Sequence, residues 1–191
     1  MNIVIIGAGV AGLGIGWRLL QAGCAVTVLE RSQPAAGATW AAAGMLAVTA
    51  ELEEAPDAER ALALRANALW PGFAAELEAA SGRGVFLNQV GALLLAADAA
   101  ELEVMHARAD GELRVLDAKE AGALVPLLGD GTVGGLWSPH EAHVDNRALG
   151  EALAIAFLKA GGVCMPMKRR WRSSLVRGCL RPMAATKPMR W

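Results

Sequence analysis

Gly7, Gly9 and Gly12 stand in the spacing G-x-G-x-x-G, directly behind the apolar run Ile3-Val4-Ile5-Ile6 and ahead of a helical pattern. In that setting each glycine meets a separate demand of a dinucleotide pyrophosphate. Gly7 permits the tight turn out of a strand, Gly9 keeps a Cβ out of the way of the phosphates, and Gly12 lets the following helix pack closely on the strand. Between and beside them, Ala8, Val10 and Ala11 complete the loop and the first helical turn. Its free N–H groups and aligned peptide dipoles, roughly half a positive charge, would face the anion. The bland alternative is a strand-to-helix turn with no ligand.

A helix from this loop should run to about Ala22 and be capped by Gly23. The apolar stretch Ala25-Val26-Thr27-Val28-Leu29 then reads as a second strand ending in Glu30, the acidic residue expected about 20 positions after the glycines. A carboxylate there accepts hydrogen bonds from a ribose diol and repels a 2′-phosphate, so FAD or NAD is favoured over NADP. A solvated strand end is the alternative reading of Glu30. Further on, Ala35 to Leu46 is a run of small residues around Trp40. Such a run lets backbone approach a flat ligand, with the Thr39 hydroxyl and backbone N–H groups available to bond it; an alanine-rich helix start is the competing reading.

The elements that must hold these residues are those of an alanine-rich α/β protein. Of 191 residues 54% are hydrophobic but only 5% are aromatic, tyrosine is absent, and the mean hydropathy is +0.35. Without a long uncharged apolar stretch or a basic leader, neither a membrane span nor a signal peptide is expected. Cys24, Cys164 and Cys179 lack CxxC spacing, and His106, His140 and His143 form no metal-ligand set, which points to a reducing cytoplasm and no metal site.

Helical spacing at Leu62, Leu69, Phe73 and Leu77 predicts a helix over 57–80, kinked or restarted at Trp70-Pro71 and stopped by Ser81-Gly82-Arg83-Gly84. Strands are expected at 85–87, 91–96 and from Gly134. Asp98, Asp117 and Asp145 are placed to cap helices over 99–110, 118–125 and from Asn146 to Gly161-Gly162. Val163-Cys164-Met165 begins a further strand. His140 and Arg147 read as a loop residue and a helix-start charge rather than as catalysts.

Charge is divided sharply along the chain. Through Glu151 there are 19 acidic and 9 basic residues, net −10, whereas Ala152 to Trp191 carries 9 basic residues and no acid, net +9. Lys168 to Trp191 has two prolines, two tryptophans and no regular period, which admits an anionic-surface or nucleic-acid tail or a disordered, non-native end.

Val4 to Gly12, Leu29-Glu30-Arg31 and Gly37-Ala38-Thr39-Trp40-Ala41-Ala42-Ala43-Gly44-Met45-Leu46 together resemble the D-amino-acid-oxidase-like family of FAD-dependent oxidoreductases, and within it the glycine oxidases of the thiamine-biosynthesis type. Gly91 to Ala96 and Trp137 to Leu149 extend the resemblance over roughly 1–166. It implies a Rossmann-like FAD-binding domain with part of an α+β substrate domain: 1–82 for FAD, 83–144 for part of the substrate domain, 145–167 returning to the FAD domain, and 168–191 outside the family pattern.

By the same resemblance, FAD is held non-covalently with Gly7 to Gly12 at the pyrophosphate, Glu30 and Arg31 at the adenosine ribose, and Ala38, Thr39, Ala42, Ala43, Gly44 and Met45 along the ribityl chain and flavin ring. A small amine or amino acid would lose hydride from its α-carbon to the flavin, giving an imine and, on reoxidation by oxygen, peroxide. No nucleic-acid or membrane partner is implied, and full-length relatives are compatible with a homo-oligomer. Relatives are about twice as long, and their second half supplies a further flavin-domain strand and the arginine that grips the substrate carboxylate. A truncated oxidase with an abnormal, frameshift-like end is therefore expected, with little turnover on its own. A non-catalytic flavin-binding remnant is the competing expectation, and an NAD-dependent reductase fits the Gly37 to Leu46 stretch less well.

Overall fold

The computed structural model describes residues 1–48, 57–109, 112–129 and 131–167. The basic stretch 168–191 and Asp110, the expected end of one helix, lie outside the described residues. The described residues fall into two compact units: those within 1–43, 72–86 and 145–167 form the first, and those within 44–71 and 87–144 form the second.

Unit 1 is built on three parallel strands, β1 (Asn2–Ile6), β2 (Ala25–Glu30) and β8 (Val163–Pro166), in the order β1-β2-β8. Ile3 and Ile5 of β1 pair in register with Val26 and Val28 of β2, and Val28 with Cys164 of β8. On that face α1 (Val10–Gln21) and α6 (Asn146–Lys159) cover the sheet, and Leu13, Trp17, Leu149, Leu153, Ala156 and Phe157 are buried in the resulting core. The two helices approach closely because Gly16 has no side chain: a Cβ there would lie 2.9 Å from the Phe157 ring.

The opposite face of this sheet is apolar and open. Val4 is 64% and Ile6 61% exposed, and Val163, across β2 on β8, is exposed on the same face. Parallel sheets ordinarily bury both faces. Among the described residues, β1 is hydrogen-bonded on one edge only.

Each helix end in unit 1 follows from a local signal. Gly23, at φ +81°, sits past the end of α1, where its amide donates to the Leu20 carbonyl and that of Cys24 to Leu19. Gly161, at φ +90°, ends α6 with the same pair of bonds to Leu158 and Phe157. At the other end of α6, the Asp145 carboxylate accepts from the amides of Arg147 and Ala148.

Helix α3 (Asp57–Ser81) runs through Pro71 without a restart. Pro71 removes one backbone bond, but the helix continues on both sides. The division between units falls there, and the second half of α3 belongs to unit 1. In that half Phe73 packs edge-on to Trp17 at 5.9 Å, and Arg18 spans both rings to reach Glu76 at 2.7 Å. The expected strand at Val85-Phe86-Leu87 is absent. Phe86 adopts φ +53°, which an extended strand cannot contain, while the Val85 amide is held by the Glu78 carboxylate at 2.7 Å.

Unit 2 contains a three-stranded antiparallel sheet in the order β4-β6-β5: β4 (Ala92–Leu95), β5 (Arg114–Asp117) and β6 (Gly134–Ser138). Helix α4 (Ala99–Arg108) is capped by Asp98, and α5 (Ala118–Leu124) by a reciprocal box between Asp117 and Glu120. Ala96, Met105, Leu113 and Leu136 form its core. The expected domain limits 1–82 and 83–144 are shifted. Residues 44–71 group with unit 2, where β3 (Met45–Leu46) pairs antiparallel with β7 (Ala142–His143), and 83–86 stay with unit 1. Glu141, 2% exposed, anchors the same region by accepting the Val48 amide at 2.7 Å and the Ser138 hydroxyl at 3.4 Å.

Candidate functional site

The glycine loop of unit 1 joins β1 to α1. Gly7 turns the chain at φ +103°, and a Cβ on Gly12 would overlap the Gly7 carbonyl oxygen and meet Ile5 at 3.3 Å, so the helix can sit where it does only with glycine there. A Cβ on Gly9 would stand 3.3 Å from the Thr39 hydroxyl oxygen. No side chain caps α1, and the amides of Gly9, Ala11 and Gly12 donate to no acceptor among the described residues. Unspent donors at the start of a 12-residue helix form a positive, anion-accepting surface.

Two side chains from distant positions close this loop. Glu30, at the end of β2 and 8% exposed, accepts the Ala8 amide at 2.7 Å on one oxygen and the Ser32 amide at 2.9 Å on the other. Burial by itself would raise its pKa, but the amides of Ala8, Ser32 and Arg31 and the Ser32 hydroxyl outweigh burial and hold it below its ordinary value. Glu30 is therefore held as a carboxylate, and these four donors match the roughly four acceptor positions of its two oxygens, the Ser32 hydroxyl at 3.3 Å being the most loosely held. The same negative charge, added to burial, pushes the Cys164 thiol up.

Thr39 lies on the short helix α2 (Ala38–Ala41) and is buried; its hydroxyl accepts the Val10 amide at 3.0 Å. Asn146, at the start of α6, holds α2 in place by donating to the carbonyls of Thr39 at 2.6 Å and Trp40 at 3.0 Å. Ala35, at φ +57°, ties the connecting loop to the glycine turn through its amide and the Ala8 carbonyl.

Gly7 to Gly12, Glu30 and Thr39 are thus brought together in one unit. Arg31, Ala38, Ala42 and Ala43 lie nearby in the chain and are exposed. Gly44, at φ +79°, and Met45, 59% exposed, belong instead to unit 2, where Met45 pairs with His143 on the β3–β7 ladder and the Gly44 carbonyl accepts the Val144 amide. Sequence reading passed over Asn146 and Ser32. Asn146 had a detectable signal, a side-chain amide immediately after a helix cap, but its partners are more than 100 positions away.

The family model for FAD-dependent oxidoreductases of the DAO type matches residues 2–167. The chain belongs to this family. FAD is the cofactor of the family, and the residues just described fit such a group on their own evidence: open amides at the glycine turn, a buried ionised carboxylate, and a buried hydroxyl.

Among relatives, the chain is 37% identical over 155 residues to the bifunctional protein ThiO/ThiG of Trichormus variabilis, covering 80% of this chain and 24% of that one. It is 31% identical over 167 residues to the glycine oxidase of Geobacillus kaustophilus, covering 84% and 44%. The crystal structure of a glycine oxidase from Geobacillus kaustophilus superposes with a TM-score of 0.80 over 85% of this chain and 45% of that one. The chain therefore spans less than half the length of each of these DAO-family relatives. No described helix is long and apolar enough to cross a membrane, and the described residues hold no group of three or more potential metal ligands.

Proposed function

We propose that this chain carries the FAD-holding part of an oxidase that acts on a small amine or amino acid in the manner of a glycine oxidase. The observation that carries the reading is the set of unspent amides at Gly9, Ala11 and Gly12 beside a carboxylate already fixed in its ionised form. The amides take the pyrophosphate, and Glu30 takes the ribose hydroxyls in place of the loosely held Ser32 hydroxyl. Thr39 keeps the loop at a fixed distance from α2 through Val10. Arg31, Ala38, Ala42 and Ala43 follow the cofactor outward from the loop. Bound FAD supplies the two-electron acceptor for oxidation of the amine to the imine.

Turnover belongs, in this reading, to a protein of the relatives' full length, and the 191 residues alone bind the cofactor with little or no activity. The share of each relative that is matched, 24% to 45%, favours that division. Titrating the protein with FAD and following the quenching of flavin fluorescence tests the first part. Binding should be saturable, unaffected by excess NADP, and lost in Gly9→Leu, whose side chain fills the space over the turn. Unchanged binding in that variant refutes the site. Peroxide release with glycine or sarcosine tests the second part, and clear turnover would overturn it.

A further inference from the structure

We propose that unit 1 carries a second small-molecule site, a groove on the outer face of α6 that takes an apolar body bearing a single oxyanion head group. While Leu149, Leu153 and Phe157 face the core, the other side of α6 forms one wall of a groove of about 570 Å³, with the loop at Gln33–Ala36 and Trp40 opposite. That volume is in the range that holds a small ligand. Pro34, Ala154, Ile155 and Leu158 give it an apolar floor.

Its charges are unbalanced and only one is uncommitted. Lys159 caps the end of α3 by donating to the Ala80 and Ser81 carbonyls, at 3.4 and 2.9 Å. Arg83 and Glu151 lie 3.8 Å apart and offset each other. Arg147 remains: its guanidinium lies 4.2 Å from the centre of the Trp40 ring, and its N–H edges donate to no acceptor among the described residues. Stacking fixes the plane of the fork and leaves those edges for a carboxylate or phosphate, which a guanidinium binds with two parallel hydrogen bonds. An apolar floor ending in one oriented, unmatched guanidinium selects an aromatic or aliphatic oxyanion over a neutral or zwitterionic ligand. The groove is separate from the glycine turn, because α2 directs Thr39 to Val10 and Trp40 into the groove.

The probe is 1-naphthoate, with the uncharged 1-naphthalenemethanol as its control, added to the whole chain in saturating FAD and followed by saturation-transfer NMR and calorimetry. Naphthoate should bind saturably. Arg147→Gln should weaken it about tenfold or more, the loss expected for one charge-assisted pair, and leave the alcohol unchanged. Ile155→Glu should abolish both, and Ala154→Trp, which fills the groove without adding charge, should do the same if Ile155→Glu fails to fold. Val4→Glu, on the open sheet face, should alter neither. Non-saturable naphthoate binding, loss of binding in Val4→Glu, equal weakening of acid and alcohol in Arg147→Gln, or binding that survives a folded groove variant overturns the proposal.

Discussion

Replacing Glu30 by glutamine removes one charge and about no volume, and the consequence can be worked from its partners. In the native chain one carboxylate oxygen accepts the Ala8 amide at 2.7 Å and the other the Ser32 amide at 2.9 Å and the Ser32 hydroxyl at 3.3 Å. A carboxamide has one oxygen and one NH₂, so whichever way it turns, one backbone amide faces a donor. Leaving a buried donor without its acceptor costs about 1–3 kcal/mol, or roughly 5- to 150-fold in the folding equilibrium. The pH dependence has a definite sign. The folded pKa lies below the ordinary 4.5, so above that value the stabilisation is complete; as pH falls toward the folded value the unfolded chain takes the proton first and the stabilisation is lost. Urea unfolding of the native and Glu30→Gln proteins at pH 7, repeated down to pH 3, should show a gap that narrows on acidification. Hydrogen exchange at Ala8 and Ser32 should quicken in the variant. Equal stability at pH 7, or a gap that does not narrow below pH 4.5, would refute this account of the loop.

Gly12→Ala places a Cβ against a backbone oxygen that cannot move aside, and should cost at least about 1–3 kcal/mol, read as a lower urea midpoint together with weaker FAD binding. Pro71→Ala gives the helix interior of α3 back a donor for the Asn67 carbonyl and removes a ring clash, so it should raise stability by up to about 3 kcal/mol in a thermal melt. On unit 1, Val4→Thr on the open face should change stability by less than about 0.5 kcal/mol, whereas Leu153→Ala, at 0% exposure, should cost about 2–5 kcal/mol. A comparable loss from both would mean that the Val4 face is covered in solution.

The glycine turn was legible in the sequence because every demand on it is local: a positive φ at Gly7, a missing Cβ at Gly12, and a carboxylate at the end of the next strand. Asp98, Asp117 and Asp145 were legible as caps for the same reason, since each bonds an amide two or three positions on. Strand β5 was not, because Arg114–Asp117 is four residues long and gains its identity only by pairing with β6 some 20 positions later. Val85–Leu87 was misread in the opposite direction: its apolar composition suits a strand, but a carboxylate from α3 takes the Val85 amide and Phe86 turns away at positive φ.

The open face of the unit 1 sheet bears on function through the same distinction between local and distant causes. Val4 and Ile6 are typical of a strand buried on both sides, and β1 is nonetheless exposed on one of them and paired along one edge. Local sequence thus encodes a strand for a more deeply buried position than the described residues provide. The glycine turn begins one residue after Ile6, so whatever covers that face also restrains the strand from which the turn departs. A layer placed over Val4 and Ile6 should therefore tighten FAD binding without touching the cofactor, by stiffening β1 beneath Gly7 rather than by adding a contact. Covering Val4 and Ile6 with an added amphipathic helix, and finding FAD affinity unchanged, would show that the turn is already as rigid as the cofactor requires.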